Sequence, residues 1–271
     1  MGMDPDPPAV TVLIGAYDNE STVGRAIASI LAQSERRLEL IVIDDGSRDD
    51  SAAAAAAAIG SDPRGRVMRM ERNVGIARSL NAGLEAAAAP IVAIQDADDH
   101  SAPQRLEREL AALAADPAVA VVGARMREVD SEGRELAPRT SFAAGEVGAV
   151  LMRFNPIPNS SAAFRREAAL ELGGYDPRCR YAAEYDLWLR IAERHRIVAL
   201  DEELCTRVMG GSNVAARAER AQLAEAIAIR ARALRRRRTL RGASGLLRPA
   251  LSYALPGAAK RALRERRGQA P

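Results

Sequence analysis

Short apolar runs and segments of helical spacing alternate along the first half of the chain. Val10 to Gly15 (VTVLIG) predicts a strand, and Ser21 to Gln33 follows with Val23, Ile27, Ile30 and Leu31 at helical spacing. Leu38 to Ile43 predicts a second strand that stops abruptly at Asp44-Asp45-Gly46-Ser47. The alanine tract Ala52 to Ala58 predicts a helix, Val67 to Met70 a third strand, and Gly75 to Ala88 another helix. Pro90 introduces a fourth strand, Ile91 to Ile94, which ends at Gln95-Asp96-Ala97-Asp98-Asp99. A helix starting near Pro103 carries Leu106, Leu110 and Leu113 on one face. Asp116-Pro117 stops it, and Val119 to Val122 predicts a fifth strand. Near-continuously apolar strands separated by helices imply an α/β fold with a mostly parallel sheet covered on both faces. Ligands of such sheets sit beyond the carboxyl ends of the strands. That rule selects Gly15-Ala16-Tyr17, Asp44 to Ser47 and Gln95 to Asp99.

Composition narrows the classes. With 48% hydrophobic and 28% charged residues in 271, the chain reads as soluble and globular rather than disordered. Only 3% is aromatic, which argues against a surface built on base stacking. Two cysteines, Cys179 and Cys205, make no disulfide framework, and without C-x-x-C neither structural zinc nor secretion is indicated. No apolar run approaches the ~18 residues of a membrane span. The acidic Met1-Gly-Met-Asp-Pro-Asp6 start does not read as a signal peptide.

The net charge of +3 hides an asymmetry. Residues 215–271 hold 14 Arg and 1 Lys against 3 Glu, so an acidic body carries a basic tail. Within the body, Asp96, Asp98 and Asp99 crowd one strand end. Their mutual repulsion calls for a cation or a positive side chain. Hard divalent ions such as Mn2+ or Mg2+ take carboxylate oxygens and share them with substrate phosphates. An N-cap followed by a solvated turn is the competing reading. Neither a P-loop nor a G-x-G-x-x-G fingerprint is present. A phosphate site would therefore rest on metal, helix N-termini and arginines, with Arg72 and Arg78 as candidates or as plain surface residues.

Three ordered blocks resemble family 2 glycosyltransferases, the large inverting group of GT-A fold. They are Val10 to Ser51 (VTVLIGAYDNESTVGRAIASILAQSERRLELIVIDDGSRDDS), Asn73 to Asp99 (NVGIARSLNAGLEAAAAPIVAIQDADD) and Pro158 to Arg190 (PNSSAAFRREAALELGGYDPRCRYAAEYDLWLR). The resemblance implies a GT-A, Rossmann-like twisted sheet over residues 8–208 and a basic, largely helical extension over 209–271. It places Tyr17 against the nucleotide base and Asp45, with Asp44 as neighbour, as acceptor of a hydrogen bond from it. Asn73, Arg78 and Asn81 fall in the donor-site block. Asp96 and Asp98 match the D-x-D pair that meets ribose and metal, and Asp99 is next in line. Glu184 stands at the position of the family's catalytic carboxylate, which is usually an aspartate, and Ala183 replaces the usual acidic residue before it. Gly15 replaces a common proline, and Met209 replaces a histidine in the segment starting at Arg207. Neither His100 nor His195 fills that gap.

The resemblance further implies a nucleotide-sugar donor, with UDP-sugars favoured, and a metal, Mn2+ or Mg2+, that stabilises the leaving diphosphate. Glu184 would take the proton from an acceptor hydroxyl on a glycan, a lipid-linked sugar or a secondary metabolite. Asn155 to Ser161 and Gly173-Gly174-Tyr175 would form the acceptor-side floor, and Asp186 would pair structurally with an arginine. In residues 215–240 Leu223, Ile227 and Leu234 lie near one helical face. This basic amphipathic stretch suits peripheral contact with the anionic inner membrane surface, at about 1 kcal/mol per adjacent Arg. A packing helix with a solvated charged face is the alternative. The expected location is cytoplasmic or peripheral at that surface, and no nucleic-acid module accompanies the charge. A non-catalytic sugar-nucleotide-binding protein and a sugar nucleotidyltransferase are the rival functions. The nucleotidyltransferase lacks its glycine-rich basic loop here.

Overall fold

The first apolar run forms β1 (Val10–Ala16) and the second β2 (Leu38–Asp44), lying parallel with Ala16 opposite Asp44. β3 (Gly65–Arg69) and β4 (Ile91–Asp96) extend this parallel unit on either side, and Gly15 pairs with Asp96. The register therefore sets both acidic strand ends on either side of Gly15-Ala16. A computed structural model supplies this geometry and describes residues 6–137, 142–209 and 219–237.

Side chains alternate across each strand, which gives the sheet two cores. Leu13, Ile41 and Ile43 join Leu80 and Leu84 of α3 (Ile76–Ala86) on one face. Val10, Val12 and Ile14 join α1 (Val23–Leu31), through Val23, Ile27 and Ile30, on the other. α2 (Ser51–Ile59) and α4 (Arg105–Ala115) complete that second layer. The helix expected near Pro103 begins two residues later, because the Arg105 N–H first closes a turn onto the Ala102 carbonyl.

The second half of the sheet is less regular than the apolar runs suggest. After β5 (Asp99–Ser101), the strand expected to end at Val122 continues as β6 (Val119–Asp130). β7 (Gly145–Glu146) and a 3-10 turn (Asn159–Ser161) precede β8 (Ala163–Arg165), which inserts antiparallel between β4 and β6. α5 (Arg166–Leu170) and α6 (Ala183–Ile191) lead to β9 (Arg196–Met209). β9 runs parallel to β6 and accepts β5 and β7 as antiparallel neighbours. The order is β3-β2-β1-β4-β8-β6-β9-β5, with β7 off the path on β9. The parallel expectation thus holds over β3-β2-β1-β4, and the rest is mixed.

Residues 219–237 form α7 (Glu219–Arg237), which packs on the core side of α6. Ile229 and Ala233 are fully buried there, with Arg230 between them. The packed stripe is therefore centred on Ile229, Arg230 and Ala233, while Leu223, Ile227 and Leu234 are only partly buried at its flanks. Of the basic tail, residues 215–218 and 238–271 lie outside the described part, as do the glycines that follow Met209.

Candidate active site

The loops after β2 and β3 are locked together. Asp45 accepts the Val74 and Gly75 N–H groups at 2.8 and 2.9 Å. Gly46 has φ +68°, and a Cβ there would stand 2.6 Å from the Asn73 nitrogen, so only glycine fits this close approach. Asp44 accepts the Ser47 N–H at 3.2 Å through Oδ1. Its buried Oδ2 makes no hydrogen bond, although Arg69 Nε stands 3.3 Å away in ion-pair range. Beside it opens a cleft of about 310 Å³ lined by Gly46, Ser47, Arg69, Met70 and Glu71. Arg72, Asn73 and Arg78 are exposed nearby. Tyr17 is exposed at the end of β1, with the Arg48 guanidinium 5.6 Å from its ring centre.

Asn81, the third residue of the donor-site block, ties that block to the next turn. Its Nδ2 donates to the Tyr175 carbonyl and its Oδ1 accepts the Tyr175 N–H, both at 2.8 Å. The amide thereby joins α3 to the Gly174-Tyr175 turn.

The second acidic cluster rests on a buried frame. Arg105, fully buried, donates to Glu109 (2.9 Å), Gln95 Oε1 (3.1 Å), Ser101 Oγ (3.1 Å), the Ile94 carbonyl (2.8 Å) and the Ala162 carbonyl (3.2 Å). One guanidinium thereby joins the ends of β4, β5 and the loop into β8. Above it, Asp96 Oδ1 accepts Asn159 Nδ2 at 2.7 Å, and the Asp96 N–H donates to Ser160 Oγ at 3.0 Å. Ser160 Oγ in turn donates to Asp99 Oδ2 at 2.6 Å. Asp99 is buried, its Oδ1 has no hydrogen-bond partner, and Arg207 Nε lies 3.8 Å from Oδ2. Asp98 is partly buried, and its carbonyl accepts Arg25 at 3.4 Å.

Burial first, then the Asp96 charge, raises both Asp98 and Asp99 above the ordinary carboxylate range. Arg207 is raised in turn: burial opposes its charge, and Asp99 ahead of Asp96 outweighs that. Arg207, Arg25 and Arg105 all act on the cluster, and its carboxylates, with Glu184 and Glu109, outnumber them. Its all-oxygen donor set and the orphaned Asp99 Oδ1 fit a hard divalent cation. Asp96 and Asp98 are the partly exposed residues that would hold it, with Asp99 behind them.

Glu184 enters from the first turn of α6, where Asn155 Nδ2 stands 3.5 Å from its Oε1. Burial, then the negative charge of Asp96, pushes its carboxyl up to about 7, with Arg207 pulling the other way. The Tyr175 hydroxyl is buried without a partner within electrostatic reach of Glu184 and Asp96. Asp186 pairs with Arg190 at 2.7 Å and Arg232 at 3.2 Å, as its structural reading anticipates. His100 lies in β5 opposite Thr206, between buried Asp99 and Ser101, rather than capping a helix. Among the described residues, Asp176, Cys179 and Asp186 are the one trio whose potential ligand atoms lie within 4.8 Å of one another, which Asp96, Asp98 and Asp99 do not, and that trio already surrounds a cation: Arg232 lies 3.9, 3.4 and 3.2 Å from them.

Arg105, Arg207 and Glu225 of α7 were not singled out by sequence. Arg105 has a faint signal in its i,i+4 partner Glu109, and Arg207 opens the segment where the histidine is missing. Glu225, one carboxylate in an alanine-rich helix, has none.

The fold is that of GT-A glycosyltransferases. TarS of S. aureus in complex with UDP superposes with a TM-score of 0.63 at 17% identity, over 81% of this chain and 64% of that one. The mannosyltransferase PcManGT of Pyrobaculum calidifontis, in complex with GDP-Man and Mn2+, gives 0.67 at 22% identity, over 96% and 80%. The family model for glycosyl transferase family 2 matches residues 11–173. The amylovoran biosynthesis glycosyltransferase AmsE of Erwinia amylovora is 26% identical over 75% of this chain and 77% of its own. The putative glycosyltransferase EpsE of Bacillus subtilis is 34% identical over 69% and 67%. The chain belongs to glycosyl transferase family 2 and is an enzyme of glycosyl transfer. Glu184 lies beyond the matched stretch. Among the described residues no helix is long and apolar enough to cross a membrane.

Proposed function

We propose that this protein is an inverting, metal-assisted glycosyltransferase of polysaccharide or related glycan assembly. The donor is a nucleoside diphosphate sugar, with UDP-sugars favoured, and the acceptor is a hydroxyl of a glycan, a lipid-linked sugar or a secondary metabolite. One observation carries the reading: a carboxylate poised near neutrality, Glu184, stands within electrostatic reach of the acidic end of β4. Tyr17 and the Asp44–Asp45 loop receive the base, and Asn73 and Arg78 border the donor. Asp96 and Asp98 hold Mn2+ or Mg2+, which when bound stabilises negative charge on the departing diphosphate, worth several kcal/mol. Glu184 removes the acceptor proton as its oxygen attacks the anomeric carbon from the face opposite the diphosphate, contributing roughly 10²–10⁴-fold. The bond to the diphosphate oxygen breaks as the new glycosidic bond forms, so no enzyme nucleophile is required. The basic C-terminal segment brings this site to an anionic membrane face.

The test is nucleoside diphosphate release from a panel of UDP- and GDP-sugars with Mn2+, with and without vesicles of anionic lipid. Wild type should require the metal, and Glu184→Gln and Asp98→Ala should each lose at least about 10²-fold. Full turnover by Glu184→Gln would remove the base assignment. Donor binding with no turnover on any acceptor would favour the non-catalytic rival, and vesicles that neither bind nor stimulate the protein would remove the membrane contact.

A further inference from the structure

The residues on both sides of Glu184 are fastened to the C-terminal helix. Glu225 on α7 accepts three consecutive main-chain N–H groups: Arg180 on Oε2 at 2.8 Å, and Tyr181 and Ala182 on Oε1 at 2.9 and 2.8 Å. Ala182 is the N-cap of α6 and has no side-chain acceptor with which to cap it. A carboxylate from elsewhere in the chain thus supplies the acceptor and places negative charge at the positive end of the helix. On the other side of Glu184, Arg230 Nε donates to the Tyr185 hydroxyl at 2.7 Å, and Arg232 donates to Asp186 at 3.2 Å. Besides its own main-chain N–H, the Glu184 carboxylate has the 3.5 Å contact to Asn155 as its hydrogen-bonding neighbour. Its place is therefore set by how α6 is held.

We propose that Glu225 is a positioning residue for glycosyl transfer: by clamping Arg180–Ala182 it fixes the start of α6 and so the carboxylate of Glu184 over the acidic end of β4. The inference rests on Glu184 being the base. It makes residues 219–237 part of the catalytic unit rather than an appendage. The strand ends that bear Asp45, Asp96 and Asp98 make no such contact with Glu225, so the clamp concerns turnover and not donor binding.

The experiment uses the full chain as wild type, Glu225→Ala, Glu225→Gln, Glu184→Gln and the double variant Glu225→Ala/Glu184→Gln. The donor is the sugar nucleotide that wild type turns over with Mn2+; UDP affinity comes from calorimetry, and amide exchange is followed at 180–182. Misplacing a reacting group by about 1 Å costs ~10²-fold, so kcat of Glu225→Ala should fall about 10- to 100-fold. Its donor KM and UDP affinity should stay within about twofold, which separates transition-state from ground-state effects. Glu225→Gln keeps one acceptor oxygen and should recover much of the loss. In the Glu184→Gln background, Glu225→Ala should add no further loss, because it acts only through Glu184. Exchange at 180–182 should quicken in Glu225→Ala. Unchanged kcat, a parallel loss of UDP affinity, an equal further loss in the double variant, or unaltered exchange would each overturn the clamp. If Glu184→Gln alone keeps full turnover, the base assignment has failed. If it is inactive while Glu225→Ala is not, only the clamp has failed.

Discussion

At the end of β2, Asp45 receives two main-chain N–H groups and Asp44 one, and the loop around them closes on a glycine that nothing larger can replace. At the end of β4, Asp96 has an asparagine amide, Asp99 has a serine hydroxyl and one orphaned oxygen, and their positive neighbours are Arg207 for both and Arg105 for Asp96. Both segments are pairs or triplets of aspartates after an apolar strand. The first takes three main-chain N–H groups and leaves one oxygen, Asp44 Oδ2, to an ion pair with Arg69 alone. The second holds charge that the protein leaves unneutralised, with Glu184 adding to it across the site. On the proposed function, the amide-bound pair shapes the wall that receives the base, and the carboxylates that raise one another are where a cation and a proton are handled.

The largest test of this contrast is pH. Glu184 works as a base only when ionised, and its carboxyl is pushed up to about 7. Followed as kcat/KM, which reports the free enzyme, activity should fall about tenfold per unit below that value, so about 100-fold by pH 5. The folded state keeps this proton longer than the unfolded chain does. The associated stability is present below the ordinary glutamate range and lost as pH rises through about 7. Glu184→Gln should then unfold at higher temperature than wild type at pH 8 and gain little at pH 4. A flat kcat/KM profile between pH 5 and 8 would separate Glu184 from the chemistry.

The opposite sign is expected at Asp45, which is nearly buried. Asp45→Ala strips acceptors from two amides, and hydrogen bonds to charged groups contribute about 1.5–3 kcal/mol each before relaxation. A loss of about 2 kcal/mol in urea unfolding is the expected outcome. A loss below about 0.5 kcal/mol, the level of an ordinary surface change, would show that the wall does not depend on it.

The same contrast explains what could be read from the chain. β1 to β4 and the helices between them are local: each apolar run or helical period predicts its own element, and the acidic ends follow directly. The second half depends on partners distant in sequence. Asp99–Ser101 is polar and three residues long, and it is a strand only because β9 pairs with it. β8 is equally short and lies between β4 and β6. Arg105 sits in an amphipathic helix like any surface arginine, yet it is fully buried because five acceptors, four of them from three other segments, meet there. Asn81 falls in the right block, but its hydrogen bonds go to Tyr175, which no local pattern announces. Glu184 was legible through resemblance alone, and its supports on α7 were not.

The smallest effect is also the most selective. If the β4 end is the cation site, Mn2+ stabilises the folded protein by RT ln(1 + [L]/Kd), about 1.4 kcal/mol at a tenfold excess over Kd. Melting curves with and without Mn2+ should show this increment in wild type. Asp45→Ala should show it undiminished on a lower baseline, because its missing bonds are remote from the ion. Asp98→Ala should start no lower than wild type without metal, since it removes one of the crowded charges, and should gain almost nothing on adding it. An increment that survives in Asp98→Ala would place the ion elsewhere. The Asp176–Cys179–Asp186 group would be the next to examine, although Arg232 already supplies positive charge there. In that case the two acidic strand ends would differ in packing alone, and the charge left over at β4 would need another owner.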